Sequence, residues 1–138
     1  MKVNHLIIGA SNVLESVEFY SNLFKFEPVD SFIDTGTGKQ GEVLNLISDG
    51  HFLQLLIVPF GNERLPNPQH IAFEVNKESF KSIYERAITL KIPLRKNPPL
   101  DDNAQGIGEL NSTFCTYNIF YVTDPSKINV EIMCSQQK

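Results

Sequence analysis

Two histidines stand at the same place in two similar stretches of this 138-residue chain. Asn4-His5-Leu6-Ile7-Ile8-Gly9 lies near the start, and Gln69-His70-Ile71-Ala72-Phe73-Glu74-Val75 repeats the pattern 65 positions later. Each stretch is short, apolar and β-branched, which favours a strand, and each carries an imidazole near its beginning. Imidazole nitrogens bind metals and move protons near neutral pH. If the first strand of each half presents such a group, the last strand of each half is where a counterpart belongs. In Phe52-Leu53-Gln54-Leu55-Leu56-Ile57-Val58 the one polar residue is Gln54. In Ile128-Asn129-Val130-Glu131-Ile132-Met133 the ionisable residue is Glu131. Two imidazoles, a carboxylate and an amide oxygen suit a borderline divalent ion, Zn, Ni, Co, Mn or Fe(II), with positions left open for water or substrate.

The elements that position these groups follow from periodicity. After the first strand, over 3–9, Ser11 or Asn12 caps a helix whose apolar positions 13, 14, 17, 20, 23 and 24 form one stripe, with Glu15 at its positive end. After the strand 69–75, Asn76 opens a second helix over 77–91. Further strands are expected over 26–34, 42–47 and 52–59 in the first half, and over 92–96, 113–123 and 127–134 in the second. Asp49-Gly50 supplies a hairpin turn, residues 60–68 a linker, Asn97-Pro98-Pro99 a strand break, 100–111 a polar loop and Asp124-Pro125-Ser126 a turn. The order βαβββ thus occurs twice, giving one α+β domain over 1–138 with modules at about 1–60 and 68–138. Period two puts Glu74 on the face of His70, and Asn129 and Met133 on the face of Glu131. Tyr117 and Tyr121 are candidates to line the same cavity, and Glu42 and Glu74 are further carboxylates near it.

Composition narrows the function. A net charge of −4 without a Lys/Arg cluster lacks the phosphate-neutralising surface of a nucleic-acid binder. The apolar runs fall short of a bilayer span, and no basic region precedes an apolar core at the N-terminus, so a soluble cytoplasmic protein is expected. Two cysteines, Cys115 and Cys134, form neither CxxC nor a zinc spacing and read as reduced thiols.

On these residues the chain resembles the vicinal oxygen chelate superfamily (glyoxalase and bleomycin-resistance-like proteins). The likeness runs through Asn4-His5-Leu6, Phe19-Tyr20, Leu23-Phe24, the His70 strand, Phe120-Tyr121-Val122-Thr123-Asp124-Pro125 and Val130-Glu131-Ile132. It implies paired βαβββ modules whose eight strands form a curved, incompletely closed barrel around a metal. Its metal ligands map onto His5, Gln54, His70 and Glu131. The pattern His-Gln-His-Glu is most similar to methylmalonyl-CoA epimerase, whereas glyoxalase I usually has a carboxylate where Gln54 stands. The short loop after Phe60 and the tight Asp49-Gly50 hairpin depart from the epimerase, and its carboxylate base has no secure equivalent here.

The resemblance implies a metal-dependent lyase or isomerase acting on a small substrate that chelates the ion through oxygens. The ion would act as a Lewis acid, and Glu131 is the candidate proton carrier. Relatives also suggest two other classes. One is a metal-free protein that sequesters an antibiotic in an apolar pocket, for which ten phenylalanines and four tyrosines provide material. The other is a fosfomycin-type thiol transferase using the His, His and Glu ligands alone. A homodimer is implied throughout.

Overall fold

The computed structural model describes residues 3–48, 51–59, 70–96 and 105–136. The expected turn at Asp49-Gly50, the linker 60–68, the break Asn97-Pro98-Pro99 and residues 100–104 of the polar loop lie outside the described residues. The chain divides into two compact units, Met1–Asn67 and Pro68–Lys138, each built in the order βαβββ.

The first unit contains β1 (His5–Ala10), α1 (Val13–Phe24), β2 (Glu27–Ile33), β3 (Gln40–Ser48) and β4 (His51–Pro59), with sheet order β1-β4-β3-β2. Asn12 is the cap of α1: its side chain accepts a hydrogen bond from Glu15 N at 3.1 Å. The helical stripe Ser16, Tyr20, Leu23 and Phe24 is buried, and α1 packs on β3 and β4. Facing it are Ile8, Ala10, Leu44, Leu46, Leu55 and Ile57, all buried. Burying each large apolar side chain of this kind contributes about 1.5–3 kcal/mol. Tyr20, Phe24 and Phe26 stack into one aromatic cluster at the end of the helix. On the outer strand β2 the register shifts between Pro28 and Asp30, a bulge beside a proline that has no N–H to give the ladder.

The second unit contains β5 (His70–Glu74), α2 (Lys77–Thr89), β6 (Gly108–Asn111), β7 (Thr116–Thr123) and β8 (Asn129–Ser135), with sheet order β5-β8-β7-β6. Asn76 caps α2, accepting from Ser79 N at 2.8 Å. The helix buries Phe80, Ile83 and Ala87, and it packs on β8. Phe80 and Tyr84 meet the fully buried Phe120 edge-on. The Asp124-Pro125-Ser126 turn forms as expected: buried Asp124 Oδ1 accepts from Ser126 N at 2.8 Å and Ile128 N at 2.9 Å.

One strand is placed differently from expectation. Of residues 92–96, only Arg95 pairs, in a single antiparallel bridge to Tyr121. The regular strand is Gly108–Asn111, inside what composition marks as a polar loop, and it pairs antiparallel with β7 from Gly108↔Ile119 to Asn111↔Thr116. Arg95 and then Gly108 follow the same edge of β7 in the same direction. The two pieces are therefore one edge strand interrupted by an insertion. At Gly108 a Cβ would stand 2.5 Å from the Lys96 carbonyl oxygen, so this close approach of the two pieces requires glycine.

Candidate functional site

Each sheet has one face covered by its helix and one face turned away from it. The candidate ligands occupy the second, open face. In the first unit β1 and β4 run parallel with His5 directly opposite Gln54, and β3 and β4 run antiparallel with Asn45 opposite Gln54. His5, Gln54 and Asn45 therefore form a polar row across three strands, flanked by Ile7, Leu56 and Val43 one row on. His5 Nδ1 stands 2.8 Å from Asn4 Oδ1. An amide oxygen only accepts, so Nδ1 is the ring nitrogen that donates in this contact and Nε2 is the one turned away from Asn4. Gln54 Nε2 donates to Asn45 Oδ1 at 3.2 Å, which leaves the Gln54 carbonyl oxygen as the free end of that amide.

In the second unit His70 Nε2 lies 3.0 Å from Glu131 Oε1. His70 is exposed and Glu131 is buried, with 5% of its surface accessible. Tyr121 stands opposite Glu131 in the β7–β8 register, and its ring meets the His70 imidazole edge-on at 5.8 Å between centroids. Burial, then a hydrogen bond to Glu131 and the charge of that carboxylate, push the Tyr121 phenol up to about 12. It is a neutral hydrogen-bond donor at physiological pH. Tyr117, further along the same face, is also raised to about 12, first by its hydrogen bond with Cys115 and then by burial and by the charges of Cys115 and Glu74.

The four candidate ligands thus occur as two pairs, each within its own unit. The pairs are not equivalent by register. Gln54 is directly opposite His5, whereas the residue directly opposite His70 is Asn129, and Glu131 is opposite Ala72. The His70–Glu131 contact is diagonal, bridged by the longer glutamate side chain. Among the described residues, no group of three or more His, Cys, Asp or Glu side chains is arranged to hold a metal ion. The chemistry of the pairs nonetheless fits a divalent cation: an imidazole lone pair and an amide oxygen in one, an imidazole and a buried carboxylate in the other.

The remaining carboxylates separate by face. Glu74 is exposed on the face of His70, at the other end of β5. Glu42 stands opposite Ile57, on the helix-covered face with Leu44, and its carboxylate accepts from Gln40 Nε2 at 2.8 Å. It points away from His5 and Gln54. Both cysteines are free thiols, and burial raises the Cys134 thiol above its ordinary value. Asn4, Asn45 and the Tyr121–Glu131 contact have no counterpart in the sequence-based expectations. Asn45 was within reach of hairpin arithmetic: a two-residue turn at 49–50 makes Ser48 face His51, and three steps back Asn45 faces Gln54.

Residues 2–132 match the family described as the Glyoxalase/Bleomycin resistance protein/Dioxygenase superfamily. The chain belongs to this superfamily. No curated protein sequence matches it significantly. Among solved structures, oxidase ChaP-H2 is similar with a TM-score of 0.74 and 19% identity, over 97% of this chain and 93% of its own. A glyoxalase/bleomycin resistance protein/dioxygenase from Alicyclobacillus acidocaldarius is similar with a TM-score of 0.66 and 19% identity, over 99% and 92%. The fosfomycin resistance protein FosX from Listeria monocytogenes, complexed with Mn(II) and a dihydroxypropylphosphonic acid, gives a TM-score of 0.64 and 17% identity, over 95% and 90%. At these identities the likeness is one of fold: two βαβββ modules, α+β, with open four-stranded sheets. Among the described residues, no helix is long and apolar enough to cross a membrane.

Proposed function

We propose that this superfamily member is a divalent-metal-dependent lyase or isomerase acting on a small substrate that offers oxygens to the metal. The observation that carries it is the contact of His70 Nε2 with the buried Glu131 carboxylate at 3.0 Å. A buried carboxylate is costly unless it is paired or serves a cation, and here its neighbour is itself a metal-binding side chain. In the second module His70 and Glu131 would hold an ion, and in the first His5 and Gln54 are the corresponding pair. When bound, the ion would supply Lewis-acid stabilisation of an enolate or oxyanion.

The chain's own residues divide the remaining work. Glu131 would carry the proton only by loosening from the ion, and Tyr121, a neutral phenol at physiological pH, donates to it and orients it. Glu74, exposed on the face of His70, is a second carboxylate available for proton transfer. The His-Gln-His-Glu pattern supports an epimerase-like substrate with an enolisable carbonyl. The fold likeness to FosX adds fosfomycin and small phosphonates as a second class to screen. A homodimer is the working assembly in this reading.

The test is metal content by mass spectrometry on protein purified without a histidine tag, beside a folded His5→Ala/His70→Ala double variant. About one divalent ion per chain, lost in the variant, is the expected outcome. No ion in the unmutated protein, even after refilling with Zn, Ni, Co, Mn and Fe(II), would leave the metal-free ligand-sequestering function instead.

A further inference from the structure

We infer that Asn45 is a positioning residue for the metal site: it holds the Gln54 side-chain amide so that its oxygen, and not its NH2, is the free end. The inference rests on the metal-dependent function proposed above and assigns a role to a residue outside the ligand set. A primary amide has two ends of nearly equal size and opposite polarity. Only the oxygen binds a divalent cation, and the NH2 end would present two positive hydrogens to it. Nothing in the steric shape of a glutamine selects one orientation, so a neighbouring group must.

Asn45 is placed to do so, because its own amide has Glu27, whose carboxylate only accepts, as its register partner on β2, which favours its NH2 on that side and its Oδ1 toward Gln54. It stands directly opposite Gln54 in the β3–β4 ladder, on the same sheet face, and both are half-buried. Gln54 Nε2 donates to Asn45 Oδ1 at 3.2 Å. With the nitrogen tied to β3, the carbonyl oxygen diverges from Asn45. On the other side of β4, His5 is the register partner of Gln54. Its Nδ1 contacts Asn4 Oδ1 at 2.8 Å, which leaves Nε2 as the nitrogen turned away from Asn4. Two asparagines thus set two ligands by the same device, an acceptor that takes up the wrong end of each. Asn4 is exposed and adjacent in sequence, whereas Asn45 is fixed by the sheet register and is the stronger determinant.

A carboxylate has two equivalent oxygens and needs no such orientation. This gives a test by double-mutant cycle, reading Mn(II) and Zn(II) affinity by calorimetry on the full chain. The four proteins are the unmutated chain, Asn45→Leu, Gln54→Glu and the double variant. Asn45→Leu keeps the size of the side chain and removes the acceptor; it should weaken binding by about tenfold or more, the scale of lost outer-shell contacts to metal ligands. In the Gln54→Glu background the same change should cost less than about threefold, because either oxygen then serves. In the metal-free proteins, the NH2 resonances of Gln54 should shift on Asn45→Leu while circular dichroism stays unchanged.

Equal losses in both backgrounds would make Asn45 a structural residue and overturn the inference while leaving the metal site standing. Unchanged affinity in Asn45→Leu, or unmoved Gln54 NH2 resonances, would overturn it as well. Absence of any metal uptake by the unmutated chain would instead remove the proposed function and this inference with it.

Discussion

His70 and Glu131 meet at 3.0 Å across a parallel strand pair although they are not register partners; Asn129 faces His70, and Glu131 faces Ala72. The diagonal reach matters because it brings a long, buried carboxylate to an exposed imidazole and leaves the shorter Asn129 directly opposite. His5 and Gln54 meet squarely in the other module. Two copies of one supersecondary unit thus carry candidate ligands of equal length in different register, a departure from strict duplication that only the strand pairing reveals.

A buried carboxylate is expensive to keep for stability alone, and from this follows a prediction with two signs. Glu131→Gln preserves shape and hydrogen-bonding capacity toward His70 and Tyr121 while removing the charge. In the presence of a chelator the variant should be at least as stable as the unmutated protein, by up to about 1 kcal/mol in thermal unfolding. Its affinity for Mn(II) or Zn(II) should fall by at least about tenfold. Loss of stability without loss of affinity would assign Glu131 a packing role.

The sequence carries most of the fold because local signals and burial agree. Asn12 and Asn76 cap as their positions suggest, and Tyr20, Leu23, Phe80 and Ile83 go inside as helical spacing requires. Edge-strand identity is less legible. Gly108-Glu109-Leu110-Asn111 has a loop's composition and becomes a strand because β7 offers it an unpaired edge, while the 92–96 stretch, interrupted by Pro93, makes one bridge at Arg95. The histidines are legible from repetition and Glu131 from being the one carboxylate of its strand. Tyr121 is legible as a cavity-lining candidate and Asn45 only through the hairpin register, while their partners, Glu131 and Gln54, follow from which residue each faces.

Tyr121 contributes to the alkaline limit. Its phenol is raised from an ordinary value of 10 to about 12 by burial and by Glu131. The folded chain therefore holds this proton more tightly than the unfolded chain. Its contribution to stability is complete below pH 10 and is lost as pH rises from 10 to about 12. Tyr121→Phe removes the group, so the fall in unfolding free energy across that window should be shallower in the variant. Ultraviolet titration of phenolate should show Tyr121 ionising after an ordinary exposed tyrosine, and a phenol titrating at its ordinary value would contradict the burial seen at β7.

Two glycines separate steric from conformational need. Gly41 faces Phe32 across the β2–β3 pair, and a Cβ there would sit on the Phe32 ring and 2.7 Å from the Ile57 carbonyl oxygen. Because the second obstacle is backbone of the central strand β4, rotation of a side chain cannot relieve it. Gly41→Ala should cost about 1–3 kcal/mol, as overpacking does. Gly38 has φ of +71° and open space around it, so Gly38→Ala meets no atom and is strained only by its backbone, at about 1 kcal/mol. Asparagine tolerates that left-handed conformation, and Gly38→Asn should recover part of the loss. Gly41→Asn should be worse than Gly41→Ala, since a larger side chain meets the same carbonyl. Urea unfolding of the four variants measures the contrast. Equal costs at the two positions would show that the Phe32 ring and β4 give way, and that the close packing at Gly41 does not constrain the sheet that carries Gln54.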